Sequence, residues 1–213
     1  MNMSGATGKY KAGGDLRRLT ALSLLTALVA VLACLGNFIK VGPCPISLTL
    51  CPIIIGAALY GPSAGALLGA VFGAVTIITG ILGWDGGVVM LLMGVNPVAC
   101  VLVCVAKSTA AGFLAGLVYR AASRFGKENE KKNSKTAVIL AGIVCPVVNT
   151  GIFVLGMLIF WMDTLAAWAG GSNVVVYALT GLTGINFLVE LAINMILASS
   201  ITLIIQYASG RRR

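Results

Sequence analysis

The sequence contains no histidine, and charged residues make up only 10% of its 213 positions. Without histidine the chain cannot form an HExxH zinc motif, and its Ser and Thr hydroxyls lack an obvious general base. Acidic residues number only six, and no ATP-binding signature such as a Gly-rich phosphate loop occurs. These absences argue against an enzyme and against a protein that hydrolyses ATP by itself. No cofactor is predicted.

Six cysteines are present, but most of them lie inside apolar runs. Cys100 and Cys104 share a helix face, yet two thiols without His or acidic neighbours make a poor metal site. We therefore interpret the cysteines as small packing residues, and we predict no metal site.

Hydrophobic residues make up 59% of the chain, and the mean hydropathy is +1.01. A soluble domain is about 25% charged, so water cannot be the solvent for most of this surface. The bilayer is the alternative, and at about 20 residues per span the chain has room for roughly six helices. The 27 glycines fit this interpretation, because membrane helices use small residues to bring their backbones together.

Basic residues give the chain a net charge of +9, and their positions predict its orientation. All but two of the Lys and Arg residues lie in the segments Lys9–Arg18, Arg120–Lys135 and Arg211–Arg213. The positive-inside rule places all three segments in the cytoplasm. Nucleic-acid binding is not predicted, since no basic patch is interleaved with aromatic residues.

Apolar runs and helix breakers predict an all-α membrane protein with six transmembrane helices and both termini in the cytoplasm. The predicted spans are residues 16–39, 47–59, 63–82, 96–120, 136–160 and 181–205. The second is shorter than a usual span, but without it the basic 120–135 loop would lie outside the cell.

The remaining segments are assigned around this 16–207 transmembrane domain. Residues 1–15 are predicted to be a flexible cytoplasmic N-terminus, and 208–213 a basic cytoplasmic tail. Breaks are expected at Tyr60–Pro62 and at Gly83–Gly87. Val88–Val95 is apolar but too short to span, 163–172 is predicted to be a loop, and 174–180 is ambiguous.

Two stripes of small residues indicate close packing between helices. Gly65, Gly69 and Gly73 recur every four residues on the third helix and would form a groove for another backbone. Ser23 and Ala27 begin a similar stripe on the first helix. Packing within the chain is the simpler interpretation, and a surface for a membrane partner is the alternative.

Polar residues inside the spans are costly in hydrocarbon and therefore informative. Lys107 lies roughly 16 Å along the fourth helix from Asn96, near the bilayer centre. Asn149 lies midway along the fifth helix, and Asn186 and Glu190 share a face of the sixth. We predict that Lys107, Asn149, Asn186 and Glu190 line one polar cavity. The alternative is a structural Lys107–Glu190 ion pair that fixes helix register.

A second polar set lies in the predicted outer loops. It consists of Lys40, Trp84, Asp85, Asn96, Trp161 and Asp163. The simpler interpretation is that the Trp rings anchor the interface and the Asp carboxylates are solvated. The alternative is a lid over a ligand site, with Trp84, Asp85 and Asn96 as ligand-binding residues.

One block of the sequence resembles a known family. The run from Ile39 to Gly73, which includes Lys40-Val-Gly-Pro-Cys-Pro and Tyr60-Gly-Pro-Ser-Ala-Gly, is similar to the substrate-binding S components of energy-coupling factor (ECF) vitamin transporters. The similarity extends to Gly112–Tyr119 and Val148–Gly151, and it covers most of residues 16–207.

This resemblance implies a multi-pass protein of the bacterial cell membrane that binds one vitamin or precursor from outside. It implies three partners, a transmembrane coupling subunit and two cytoplasmic ATPases. In that family helix 1 meets the coupling subunit, which corresponds here to Ser23 and Ala27, with Ser where Ala is expected. The ligand site of the family is formed by outer loops and helices 4 to 6.

The pattern is most similar to the pantothenate type, which has an Arg in the region where this chain has Lys107. Folate, cobalamin and riboflavin types stay open. A different class is a stand-alone secondary transporter or channel, in which Lys107 and Glu190 would couple transport to an ion.

Overall fold

The computed structural model describes residues 4–38, 48–124 and 130–210, and every regular element in these ranges is helical. The helices are α1 (Ser4–Gly36), α2 (Leu50–Tyr60), α3 (Pro62–Ile81), α4 (Val88–Val95), α5 (Pro97–Ala122), α6 (Glu130–Phe160), α7 (Met162–Ala169), α8 (Val174–Val176) and α9 (Gly184–Gly210). A turn of π-helix, Tyr177–Leu182, continues α8.

Four helical stretches are long and apolar enough to cross a membrane, namely Leu16–Gly36, Pro62–Ile81, Pro97–Ala122 and Lys135–Phe160. A fifth candidate is a broken pair, Met162–Ala169 and Val174–Leu182, bent by 90°. Two shorter apolar stretches, Leu50–Tyr60 and Asn186–Leu197, fall below spanning length among the described residues. The chain is therefore a multi-pass membrane protein, and its described residues contain four or five candidate spans by length and composition.

Glycine and proline end the helices where the sequence predicts. Gly61 adopts a φ of 93°, which other residues rarely reach, and Pro62 begins α3. The break before α4 is confirmed, and Gly83, Gly86 and Gly87 in it all have positive φ. These turns fix where α3 and α4 start.

Other predicted boundaries are wrong. The first helix begins at Ser4 rather than Leu16, and the predicted loop 163–172 contains α7. This short helix forms because Leu165 and Ala169, four residues apart, are both buried against the neighbouring helices. The 174–180 segment is helical as well. Ile39, Lys40 and the terminal Arg residues lie outside the described residues.

The third helix packs directly on the fifth through its glycines. A Cβ at Gly65 would meet the backbone of Gly112, and one at Gly69 would meet the carbonyl of Ser108. At Gly73 it would lie 2.7 Å from the carbonyl oxygen of Cys104. The glycine stripe is covered by α5, so the simpler interpretation of packing within the chain is confirmed for these three residues, and the alternative of a partner surface is wrong. The stripe serves packing within the chain.

The short second helix is buried on nearly all sides. Leu50, Ile53 and Ile54 are almost fully inaccessible and lie in one apolar cluster with Leu68 of α3. A helix that is hydrophobic all round belongs inside a bundle. By contrast, only 11% of the residues in an apolar 18-residue window of the 16–36 part of α1 are buried, so this helix lies at the periphery.

Candidate ligand-binding cavity

A cavity lined by apolar and polar side chains lies between α3, α4, α5, α6, α9 and the C-terminal end of α1. The cavity, together with the part that is open to solvent, has a volume of about 940 Å³, so the enclosed volume available to a ligand is smaller than this. Lys107, Asn149, Asn186 and Glu190 all line it. The four polar residues predicted from three different helices therefore meet at one place.

The lysine of the cavity is held against an aromatic ring. Its Nζ lies 4.7 Å from the centroid of the Phe153 ring on α6. A ring face attracts an ammonium electrostatically and satisfies one side of it, while the three N–H donors can still reach other acceptors. Lys107 thus carries a positive charge into an otherwise apolar region and keeps hydrogen-bonding capacity toward the cavity.

Two buried oxygens on the cavity wall have no hydrogen-bond partner among the described residues. They are Oδ1 of Asn149 on α6 and Oγ1 of Thr49, just before α2. Leaving a buried polar group unsatisfied costs about 1–3 kcal/mol, so such groups need an explanation. Both residues line the same cavity, but the two oxygens are themselves covered by neighbouring atoms, so a donor could reach them only after the side chain turns.

The last helix presents a buried polar ladder to the interior. Asn186, Glu190 and Asn194 recur every four residues and are 7%, 5% and 2% exposed. The first two line the cavity. Asn194 instead contacts α2, where its Oδ1 accepts a hydrogen bond from Cys51 Sγ at 3.1 Å. The ladder therefore links the cavity to the packing of α2 against α9.

Asp85 lines the cavity too, but it is not the solvated charge that one interpretation predicted. It is 4% exposed, and its two carboxylate oxygens accept hydrogen bonds from Gly87 N at 2.9 Å and Val89 N at 2.7 Å. Free backbone N–H groups at a helix N-terminus favour a negative charge. Asp85 thus caps α4, whereas Asp163 is exposed in the first turn of α7.

Trp84 and Asn96, also predicted to bind ligand, do not line the cavity. Trp84 is 43% exposed and its ring lies 5.9 Å from that of Phe38. Asn96 is the N-cap of α5, where its Oδ1 accepts from Ala99 N at 3.1 Å. An N-cap amide satisfies a helix terminus and is occupied by that contact.

The Trp161 ring is buried inside the protein, so it does not face lipid or solvent as an interfacial anchor would. It is 2% exposed, and its indole N–H donates to the Leu92 carbonyl of α4 at 3.0 Å. Sequence reasoning also missed Phe153, Thr49 and Thr183, because such residues in apolar runs look the same whether they pack or line a cavity. The π-helical turn before Thr183 is a feature often found near functional sites.

The cavity contains no metal-binding set. No group of three or more Cys, Asp or Glu residues in the described ranges could hold a metal ion. The features present are one cation, two carboxylates, amides and hydroxyls surrounded by apolar helices. This is the chemistry of a site that recognises a small polar molecule by charge and hydrogen bonds.

Multiple apolar helices around a cavity that carries charged and amide side chains are typical of one class, the membrane-embedded small-molecule binders and transporters. A family model described as "ECF transporter, substrate-specific component" matches residues 17–206. The chain therefore belongs to the family of ECF transporter substrate-specific components, which are transport subunits and not enzymes. No curated protein matches the chain.

Proposed function

We propose that this chain captures a vitamin or vitamin precursor from outside the cell and hands it to an ECF transport complex. The observation that carries the proposal is the meeting of Lys107, Asn149, Asn186 and Glu190 in one cavity of a substrate-specific component. Charged and amide side chains are expensive in hydrocarbon and are rarely placed there without a role.

The cavity favours a ligand with an acceptor at one end and donors at another. Lys107 offers a cation for a carboxylate or carbonyl, and a charge-assisted hydrogen bond there would be short and strong. The Asn149 amide and the Glu190 carboxylate offer hydrogen-bond partners for the hydroxyl or amide groups of a ligand. Pantothenate carries a carboxylate, two hydroxyls and an amide, so it is the ligand that we propose.

The proposed topology has six spans, with α1, α2, α3, α5, α6 and α9 crossing the membrane and both termini in the cytoplasm. Support comes from the basic segments, which all lie on one side in this arrangement. The burial of α2 inside the bundle fits it as well. In this orientation the Asp85 end of the cavity is the outer end, which suits capture from outside.

The chain is proposed to work with a transmembrane coupling subunit and two cytoplasmic ATPases of the bacterial cell membrane. The exposed face of α1 is the proposed contact, since Ser23 and Ala27 are both exposed there. Small residues let another helix approach closely. ATP hydrolysis by the partners would supply the energy that this chain lacks the motifs to supply.

A thermal-shift screen of the purified protein across the B vitamins tests the proposal. A ligand present at 100 times its Kd stabilises a protein by about 2.7 kcal/mol, which gives a clear rise in melting temperature. Pantothenate should give the largest rise, and the Lys107→Gln variant should lose it. If no vitamin raises the melting temperature of the wild-type protein, the proposed function is wrong.

A further inference from the structure

The α4 helix forms one wall of the cavity, yet it is only eight residues long. Val88, Val89 and Leu92 on this helix all line the cavity. A helix this short has little stability of its own, so its position must come from contacts with the rest of the chain. The shape of the cavity therefore depends on what holds α4 in place.

The first end of α4 is fixed by Asp85. The carboxylate accepts from the N–H groups of Gly87 and Val89 and joins the helix start to the preceding turn. Gly83, Gly86 and Gly87 in that turn have positive φ, so the turn follows a path that most residues could not adopt. Asp85 makes the contacts that define this end.

The second end of α4 is fixed by Trp161, which lies at the junction of α6 and α7. Its indole N–H donates to Leu92 O at 3.0 Å, across 69 residues of sequence. The same carbonyl also accepts the N–H of Asn96 at 3.0 Å. Removing the indole donor would therefore leave Leu92 O with its bond from Asn96 N and would break the hydrogen bond that connects the two helices.

We propose that Trp161 and Asp85 are positioning residues that fix the two ends of α4 and so preorganise the cavity wall. Neither side chain needs to touch the ligand for this role. Fixing a binding surface in advance reduces the ordering that ligand capture would otherwise require. This last step, from the wall to ligand affinity, rests on the proposed function.

Native cysteines behind the wall offer a direct readout. Cys100 is 1% exposed, and its Sγ lies 3.9 Å from Val89 O of α4, while Cys145 is fully buried in the separate cluster around α2. Movement of α4 away from α5 would uncover Cys100 and leave Cys145 covered. Loosening of the whole bundle would uncover both.

The experiment measures N-ethylmaleimide labelling of Cys100 and Cys145 by peptide mass spectrometry in the full-length protein without ligand. Trp161→Phe keeps a ring but removes the donor. The control is Trp168→Phe, the same substitution at a partly buried residue that packs against the same apolar cluster. One hydrogen bond contributes about 1 kcal/mol, so Trp161→Phe should label Cys100 about five-fold faster. Labelling of Cys145, and of Cys100 in Trp168→Phe, should stay at the wild-type rate.

Equal labelling of Cys100 in the two Trp variants would overturn the proposal, as would a parallel rise at Cys145. Asp85→Asn is an independent variant that decides the question if Trp161→Phe does not fold. Because it weakens the contact at the first end of α4, it should also raise Cys100 labelling and leave Cys145 labelling unchanged.

A pantothenate titration completes the test. A Kd that rises about five-fold in Trp161→Phe supports the positioning role, and an unchanged Kd overturns it. The labelling experiment uses no ligand, so a negative labelling result would leave the proposed vitamin binding unaffected. Likewise, a failure to bind vitamin would leave the labelling result unaffected.

Discussion

Glycine has different roles in two regions of the molecule, the α3–α5 interface and the turn before α4 at the cavity wall. In α3, Gly65, Gly69 and Gly73 bring two backbones into direct contact and leave no room for a side chain. Before α4, Gly83 and Gly87 have open space around them and serve the turn through their positive φ. The first region is a direct contact between backbones, and the second combines apolar packing of Val89 and Leu92 with one polar contact near each end of α4.

This difference indicates which region of the chain determines its stability and which region determines ligand binding. Tight backbone packing tolerates almost no change, because protein interiors are close-packed and deform at a cost. A wall fixed by a carboxylate cap and one indole N–H can be altered without unfolding the bundle. Substitutions in the first region should therefore affect stability, and those around the cavity should affect ligand affinity.

The largest expected effect is on stability, from Gly69→Ala in α3. A Cβ there would overlap the Ser108 carbonyl and lie 3.0 Å from Thr109 Cα, so backbone would have to move. We expect a loss of about 2–3 kcal/mol, the upper part of the range for overpacking, measured by denaturation in detergent. Gly151→Ala on α6 is the control, since nothing lies within 4 Å of its Cβ. Equal stability of the two variants would contradict the contrast.

Next in size is the effect of Lys107→Gln on ligand affinity. Removing one member of a buried charged contact costs about 2 kcal/mol or more, or roughly thirty-fold in the Kd for pantothenate. Arg120→Gln on the exposed end of α5 is the control and should leave the Kd unchanged. The structural ion-pair alternative predicts instead that Lys107→Gln lowers the melting temperature of the ligand-free protein and spares the affinity.

A smaller effect is expected from Asn149→Leu, which should weaken ligand binding without lowering the stability of the ligand-free protein. The Oδ1 of Asn149 has no partner among the described residues, so its removal should leave ligand-free stability unchanged or raised. Loss of one hydrogen bond to the ligand should weaken pantothenate binding by about five-fold. Melting curves and titration calorimetry on the same sample measure both. A drop in stability of similar size would show that Asn149 only holds the fold.

The smallest effect on the chain itself is expected from Ala27→Leu on α1. The residue is exposed, so the fold and the Kd for pantothenate should change little. Co-purification with the coupling subunit should fall, because a larger side chain keeps the partner helix away. Ala106→Leu, on an exposed part of α5, is the matched enlargement and should not reduce co-purification. Equal loss in both variants would point away from α1 as the docking face.

The meeting of Lys107, Asn149, Asn186 and Glu190 could be predicted because polar residues in hydrocarbon must face the interior. The glycine stripe likewise indicated close packing, although not that α5 would fill it. The roles of Asp85 and Trp161 could not be predicted, since they depend on how the α3–α4 turn and the α6–α7 junction fold back. Their residue types fit a solvated loop and a membrane interface equally well.

Binding of radiolabelled pantothenate to the purified chain, without partner subunits, tests the central claim most directly. The account predicts saturable binding of one pantothenate per chain in the wild-type protein and about thirty-fold weaker binding in Lys107→Gln. Binding that is equally strong in the two proteins, or that is absent from the wild type, would contradict the assignment of this cavity and of its ligand.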